Sequence, residues 1–248
     1  MRLTLAVLLA ALLSTATLMT APAQAEMTDA ERQAFRDEVR AFLLENPEVI
    51  VEAMDGLQAR DEADAAVRDR QMLTEQHDAI FNDAASWSGG NPKGDITIVE
   101  FVDYRCGYCR KANADVEELV KSDGNIRFVL KEFPILGEAS LLSSRFAIAV
   151  LQLHGPEAYK AAHDQLITLR GEPDEATLAR LATDLGLDPV AITARMPTDA
   201  VMDVIKANHA LADIMEISGT PTFVIDGTMV RGYVPLVGMR QIVAAERG

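Results

Sequence analysis

Apolar residues recur along this chain with two different periods, and the change of period divides it. Between Thr28 and about Phe81 they fall three and four apart, the spacing of one helix face. Phe35, Val39, Phe42 and Leu43 form one stripe, and Ile50, Val51, Met54 and Leu57 form a second. Thr28-Asp29-Ala30-Glu31 has the form of a capping box, with Thr28 covering a free backbone N–H and Glu31 reaching back. Asn46-Pro47 predicts a new helix start, Asn46 as the cap and Pro47 in the first helical position. A heavily charged stretch follows from Arg60 to Arg70. Two narrow apolar faces cannot bury themselves, so they must pack on the main domain or on copies of themselves. We read residues 28–81 as an oligomerisation stalk within a helical segment spanning residues 26–85.

The pattern then changes. Trp87-Ser88-Gly89-Gly90-Asn91-Pro92-Lys93-Gly94 is rich in turn residues and predicts a boundary. Ile96 to Val102 has the length and β-branched content of a buried strand. A helical pattern runs from Cys106 to about Lys121, Asp123-Gly124 turns, and Ile126 to Lys131 reads as a second strand. Residues from Glu138 to about Met215 are helical in pattern, punctuated by Gly155-Pro156, Gly171-Glu172-Pro173, Asp188-Pro189 and Pro197. Gly219 to Gly227 enters a third strand and ends in an Asp-Gly hairpin signal, with Thr228 to Gly232 as its partner and a short helix after it. The class is α/β, with residues 86–248 as the main domain and a helical insertion at about residues 138–215. No internal repeat is present.

Residues 1–25 read as a cleavable signal peptide: Arg2, an apolar run, then Ala23-Gln24-Ala25. Removing them takes away one basic residue, so the net charge of −15 becomes one unit more negative. Such acidity disfavours nucleic acid as a partner, because the phosphate backbone would repel it. Export places the protein in an oxidising compartment, most simply a bacterial periplasm.

That setting gives the cysteines their meaning. The chain has two, Cys106 and Cys109, separated by Gly107-Tyr108. A disulfide stabilises by closing a loop in the unfolded chain, and one this short closes almost nothing. Zinc wants four ligands, and the four histidines (His77, His154, His163 and His209) have no ligand spacing. No metal or other cofactor is expected. Redox exchange is the chemistry that remains. At a helix N-terminus, free N–H groups and the helix dipole stabilise a thiolate, which makes Cys106 the exposed nucleophile and Cys109 the buried resolving thiol. Arg105 and Arg110 add positive potential or are ordinary solvated charges.

Three blocks carry a resemblance: Phe101 to Cys109, Lys131-Glu132-Phe133-Pro134-Ile135-Leu136-Gly137, and Gly219-Thr220-Pro221-Thr222-Phe223. From about Asn91 to Gly248 the chain resembles the DsbA-like branch of the thioredoxin superfamily. The resemblance implies a thioredoxin fold with an inserted helical domain, and a cis peptide bond at Thr220-Pro221 packed beside the cysteines. The helices before the core are similar to those of the suppressor-of-copper-sensitivity C family, whose better-known members are trimeric disulfide isomerases. A homo-oligomer, with a trimer favoured, is therefore expected through residues 28–81.

Glu100 lies in an otherwise apolar strand, where a charge is expensive unless paired or protonated. The resemblance implies that it exchanges a proton with Cys109, and Lys131 at the end of the second strand is placed near it as a partner. Gly107-Tyr108 and Thr220 tune the couple, and they resemble the isomerase pattern more than that of the strong oxidant. The implied function is reshuffling of wrong disulfides in exported cysteine-containing proteins, with a membrane thiol-redox partner keeping the site reduced. A monomeric disulfide oxidase, and a Cu(I)-binding dithiol in copper tolerance, are the competing readings.

Overall fold

The structure, a computed structural model, describes residues 27–248, so the expected leader at residues 1–25 lies outside it. Its contacts divide the chain into two units, with the division after Arg60.

The first unit contains α1 (Asp29–Glu45) and the first part of α2 (Glu48–Glu75). The capping box forms: Thr28 Oγ1 accepts from the Glu31 N–H at 3.3 Å, and Glu31 accepts from the Thr28 N–H at 2.8 Å. Asn46 corrects the expected cap. Its side-chain amide and its backbone N–H both donate to the Phe42 carbonyl oxygen, each at 2.9 Å, so its side chain closes α1, and only its main-chain carbonyl serves α2, accepting from the Val49 N–H at 3.2 Å. The last carbonyls of a helix have no partner within it, and a short amide one turn on can reach them. No residue of α1 is buried. Phe35, Phe42, Ile50, Val51, Met54 and Leu57 are all exposed.

The second unit holds the remainder of α2, α3 (His77–Phe81), and a five-stranded sheet with its helices. The division lies upstream of the expected boundary near residue 85 because Leu73, Ile80 and Phe81 are buried in this unit's core. The strands are β1 (Trp87–Gly90), β2 (Ile96–Val102), β3 (Ile126–Glu132), β4 (Thr222–Ile225) and β5 (Thr228–Arg231), in spatial order β1-β3-β2-β4-β5. β2 and β3 are parallel and joined by α4 (Gly107–Asp123), while every other pairing is antiparallel. A parallel pair needs such a crossover, and covering both faces explains the near-continuous apolar run of β2.

Trp87 to Gly90 is strand, where turn residues predicted only a boundary. It pairs with β3 from Trp87↔Leu130 to Gly90↔Arg127, and the Trp87 indole N–H donates to the Pro156 carbonyl at 2.9 Å. Gly90, at φ 69°, lies so close to β3 that a Cβ there would sit 2.4 Å from the Ile126 oxygen. The glycine that reads as a turn signal is there to let an edge strand approach.

The inserted helices are α5 (Glu138–Thr168), α6 (Glu175–Asp184), α7 (Pro189–Arg195) and α8 (Asp199–Ile214), and α9 (Leu236–Arg247) ends the chain. Gly155, with φ 86°, breaks α5 at the expected Gly155-Pro156. Side chains of α4, α5 and α9 bury against the sheet face that carries Ile96, Ile98, Phe128 and Leu130. The opposite face, with Val99, Phe101 and Val129, is covered by Leu73, Ile80, Phe81 and the end of α8.

Candidate active site

β2 runs out at Val102, and Asp103 turns the chain into α4. Asp103 is wholly buried, and its carboxylate accepts four hydrogen bonds. They come from the N–H groups of Arg105 (2.7 Å), Ile135 (2.8 Å) and Leu136 (3.0 Å), and from the Ser140 hydroxyl (2.7 Å). One side chain therefore ties the approach to Cys106 to the loop after β3 and to the start of α5. The sequence reading missed it. The available signal was an aspartate directly after a buried strand, which has to find donors.

Cys106 is the N-cap of α4 and stands next to the free N–H groups of its first turn. Its Sγ lies 3.1 Å from the Thr220 carbonyl oxygen, to which the thiol donates, and the Thr220-Pro221 bond is cis. Only 8% of Cys106 is accessible, so the expected exposed nucleophile is largely covered; Cys109 is fully buried. Both are thiols in this structure.

Burial pushes the Cys109 thiol well above its ordinary range, and the charge of Glu100 pushes it further. Arg105 and Arg110 are engaged with main-chain carbonyls, of Gly171 at 2.6 Å and of Tyr104 at 3.1 Å. Gly107 leaves open space beside the dithiol. Tyr108 is 63% exposed and stacks on Tyr233 at 6.4 Å between ring centroids, with Lys111 Nζ 4.4 Å from the Tyr233 ring. The cysteine loop thus carries a small aromatic and cationic rim.

Glu100 occupies the central strand, opposite Leu130 on one side and Phe223 on the other. It is buried on the α4 face, and its carboxyl is pushed up to about 8, first by burial and then by the charges of Cys106 and Glu132. Near neutral pH it therefore holds a proton most of the time, yet can release it.

Lys131 is not its partner. Side chains alternate across a strand. Lys131 pairs with Phe101 in the ladder, on the face opposite Glu100. There its Nζ meets Asp83 at 2.9 Å and the Ser86 hydroxyl at 3.3 Å. The residue facing the dithiol side is the next one, Glu132. Its carboxylate accepts from the hydroxyls of Tyr104 (2.7 Å), Tyr159 (2.6 Å) and Ser144 (2.7 Å), and burial raises it to about 7.

Among the described residues no group of three or more His, Cys, Asp or Glu side chains is gathered to hold a metal ion. None of the described helices is long and apolar enough to cross a membrane.

Comparison with known proteins gives a consistent picture. Residues 97–244 match the model of the DsbA-like thioredoxin domain, and residues 31–64 match that of the copper resistance protein ScsC N-terminal domain. A thioredoxin-like oxidoreductase from Silicibacter pomeroyi is 39% identical with a TM-score of 0.65, covering 68% of this chain and 96% of that one. ScsC of Proteus mirabilis, in a transitional conformation, is 29% identical with a TM-score of 0.66, covering 89% of this chain and 98% of its own. Among curated proteins, a Na(+)/H(+) antiporter NhaA of Salinispora tropica is 29% identical over 143 residues, 58% of this chain. The chain spans only 22% of that antiporter's length.

Proposed function

The chain belongs to the DsbA-like thioredoxin family and is a thiol–disulfide oxidoreductase of the DsbA and ScsC type, and on that premise we propose that it acts as a periplasmic disulfide isomerase on misoxidised exported proteins. The observation that carries the isomerase direction is the apolar face of residues 28–57. Phe35, Phe42, Ile50, Val51, Met54 and Leu57 are between 48% and 65% exposed. An apolar stripe of this kind is stabilised by copies of itself, and the similarity of residues 31–64 to the ScsC N-terminal domain favours a trimer. An oligomer holds several dithiols around one misfolded substrate and shields them from an oxidising membrane enzyme.

In the reaction, the Cys106 thiolate attacks one sulfur of a wrong substrate disulfide. The substrate S–S bond breaks, its other sulfur leaves as a thiolate, and a mixed disulfide forms. If another substrate thiolate then attacks the substrate sulfur of this mixed disulfide, a new substrate disulfide forms and Cys106 leaves as a thiolate, with no net redox change. If Cys109 attacks instead, it gives its proton to the Glu100 carboxylate, bonds to Cys106 Sγ and expels the second substrate thiolate. The substrate has then gained two electrons, and a membrane thiol-redox partner restores the enzyme dithiol.

Solution mass together with refolding of a scrambled multi-disulfide protein tests this reading. We expect a multiple of the chain mass and recovery of native disulfides. Phe42→Glu combined with Ile50→Glu should give a monomer that still reduces a small disulfide but no longer unscrambles the protein. A wild-type monomer that oxidises reduced substrate instead would identify an oxidase.

A further inference from the structure

We propose that Glu132 is a positioning residue for the dithiol, setting the proton affinity of Glu100 and holding, through Tyr104, the turn that delivers Cys106. The inference rests on the proposed role of Glu100 as proton carrier for Cys109.

The sheet register supplies the first ground. In the parallel ladder Glu132 stands beside Val102, and Glu100 lies two positions earlier on β2. Both side chains therefore project to the face that α4 and α5 cover. A carboxylate at Glu132 opposes ionisation of Glu100 directly.

The partners of Glu132 supply the second. Tyr104 reaches it from the turn two residues before Cys106, and Ser144 and Tyr159 reach it from α5. All three are neutral donors. Burial holds both tyrosines far above the usual phenol range, and it lowers His163, which touches Tyr104 from α5, to about 3. The charged or titratable groups facing Glu132 are thus Glu100 from β2, Asp103 from the turn and neutral His163 from α5. Lys131, next to it in sequence, is paired with Asp83 on the other face. The donors hold the carboxylate in place without cancelling its charge, so the charge is felt at Glu100.

Tyr104 connects this carboxyl to the cysteine loop. Its hydroxyl has one hydrogen and three polar neighbours: Glu132 Oε1 at 2.7 Å, His163 Nδ1 at 3.1 Å and the Tyr159 hydroxyl, which shares Glu132 Oε1. When Glu132 is ionised the hydrogen points to it. When Glu132 takes up a proton, the hydroxyl is free to donate to His163, whose Nε2 lies 3.2 Å from Asn113 Oδ1 on α4. The state of Glu132 is therefore transmitted both to the turn before Cys106 and to the helix that carries Cys109.

The test is the pH dependence of the resolving step, in which Cys109 loses its proton to Glu100 and attacks Cys106 Sγ. Single-turnover release of substrate thiol is followed in the full-length protein, in Glu132→Gln and in Glu100→Gln. The wild type should accelerate with pH as Glu100 ionises. Glu132→Gln should keep that limb but move it down by about one pH unit, the sign expected when a like charge is removed. Glu100→Gln should lose the limb.

A Glu132→Gln limb at the wild-type pH, with the Glu100→Gln limb lost, would overturn the inference and leave the Glu100 reading standing. A limb that persists in Glu100→Gln removes both. Carboxyl ¹³C titration of the wild type needs no substitution, and the Glu100 resonance should show two inflections, one belonging to Glu132. A single inflection would count against the coupling even if Glu132→Gln fails to fold.

Discussion

The thiol of Cys106 meets the carbonyl oxygen of Thr220 at 3.1 Å, joining two segments 114 positions apart in the chain. The acceptor is main chain, so the fold places it, and it lies beside the cis Thr220-Pro221 bond. The nucleophilic sulfur is held at the one point where α4 begins and β4 is about to begin.

The two thiols therefore have separable roles. Cys106→Ser should abolish disulfide exchange, while Cys109→Ser should still attack and then accumulate a mixed disulfide, visible as added mass under non-reducing conditions. Cys109→Ser places a smaller, polar side chain in a fully buried position, so a stability loss of about 1–3 kcal/mol is expected there and less at Cys106. Accumulation in Cys106→Ser rather than in Cys109→Ser would reverse the assignment.

Asp103 is the keystone of the loop. Asp103→Ala orphans two main-chain N–H groups of the Phe133–Gly137 loop and the Ser140 hydroxyl. Hydrogen bonds to a charged group contribute about 1.5–3 kcal/mol each, and buried donors left alone cost more. A loss of about 3 kcal/mol in urea unfolding is expected, with slower exchange at Cys106. A loss below 1 kcal/mol would mean the loop is held by other contacts.

Glu100 makes stability depend on pH in a defined direction. Its carboxyl has an ordinary value of 4.5 and is raised to about 8 in the folded protein. Between those values the folded state binds more protons than the unfolded state, so stability falls as pH rises. Glu132 adds to the slope up to about 7. Urea unfolding across this window should show the decline, and Glu100→Gln should flatten it by an amount on the order of a few kcal/mol. Stability that rises with pH over the same window would contradict the burial of Glu100 as a proton-holding group.

Lys131 gives the opposite kind of result. Lys131→Met removes the partner of Asp83 on the back of the sheet but touches nothing on the dithiol face. Exchange rates should stay within about twofold of wild type. Stability should fall by about 1–3 kcal/mol, because a partly buried carboxylate loses its cation. A changed pH profile of exchange would restore Lys131 to the redox machinery.

Much of this was legible in the residues. The strand, C-x-x-C and helix order, the helical insertion, the kink at Gly155 and the Asp226-Gly227 hairpin are local signals, and each corresponds to an observed element. Trp87 to Gly90 was misread because a glycine pair looks the same whether it turns the chain or lets an edge strand approach.

Local chemistry was enough to mark Cys106 and Cys109 as reactive, because a bridge that closes two residues has no structural use and a helix N-terminus favours a thiolate. Which charges share their space was beyond it. Lys131 and Glu132 are neighbours in the chain, yet the pleat sends one to Asp83 and the other to Tyr104, Tyr159 and Ser144. A period of two gives only the alternation. Which face receives the dithiol depends on how α4 and α5 pack on the sheet, and that is decided by long-range burial.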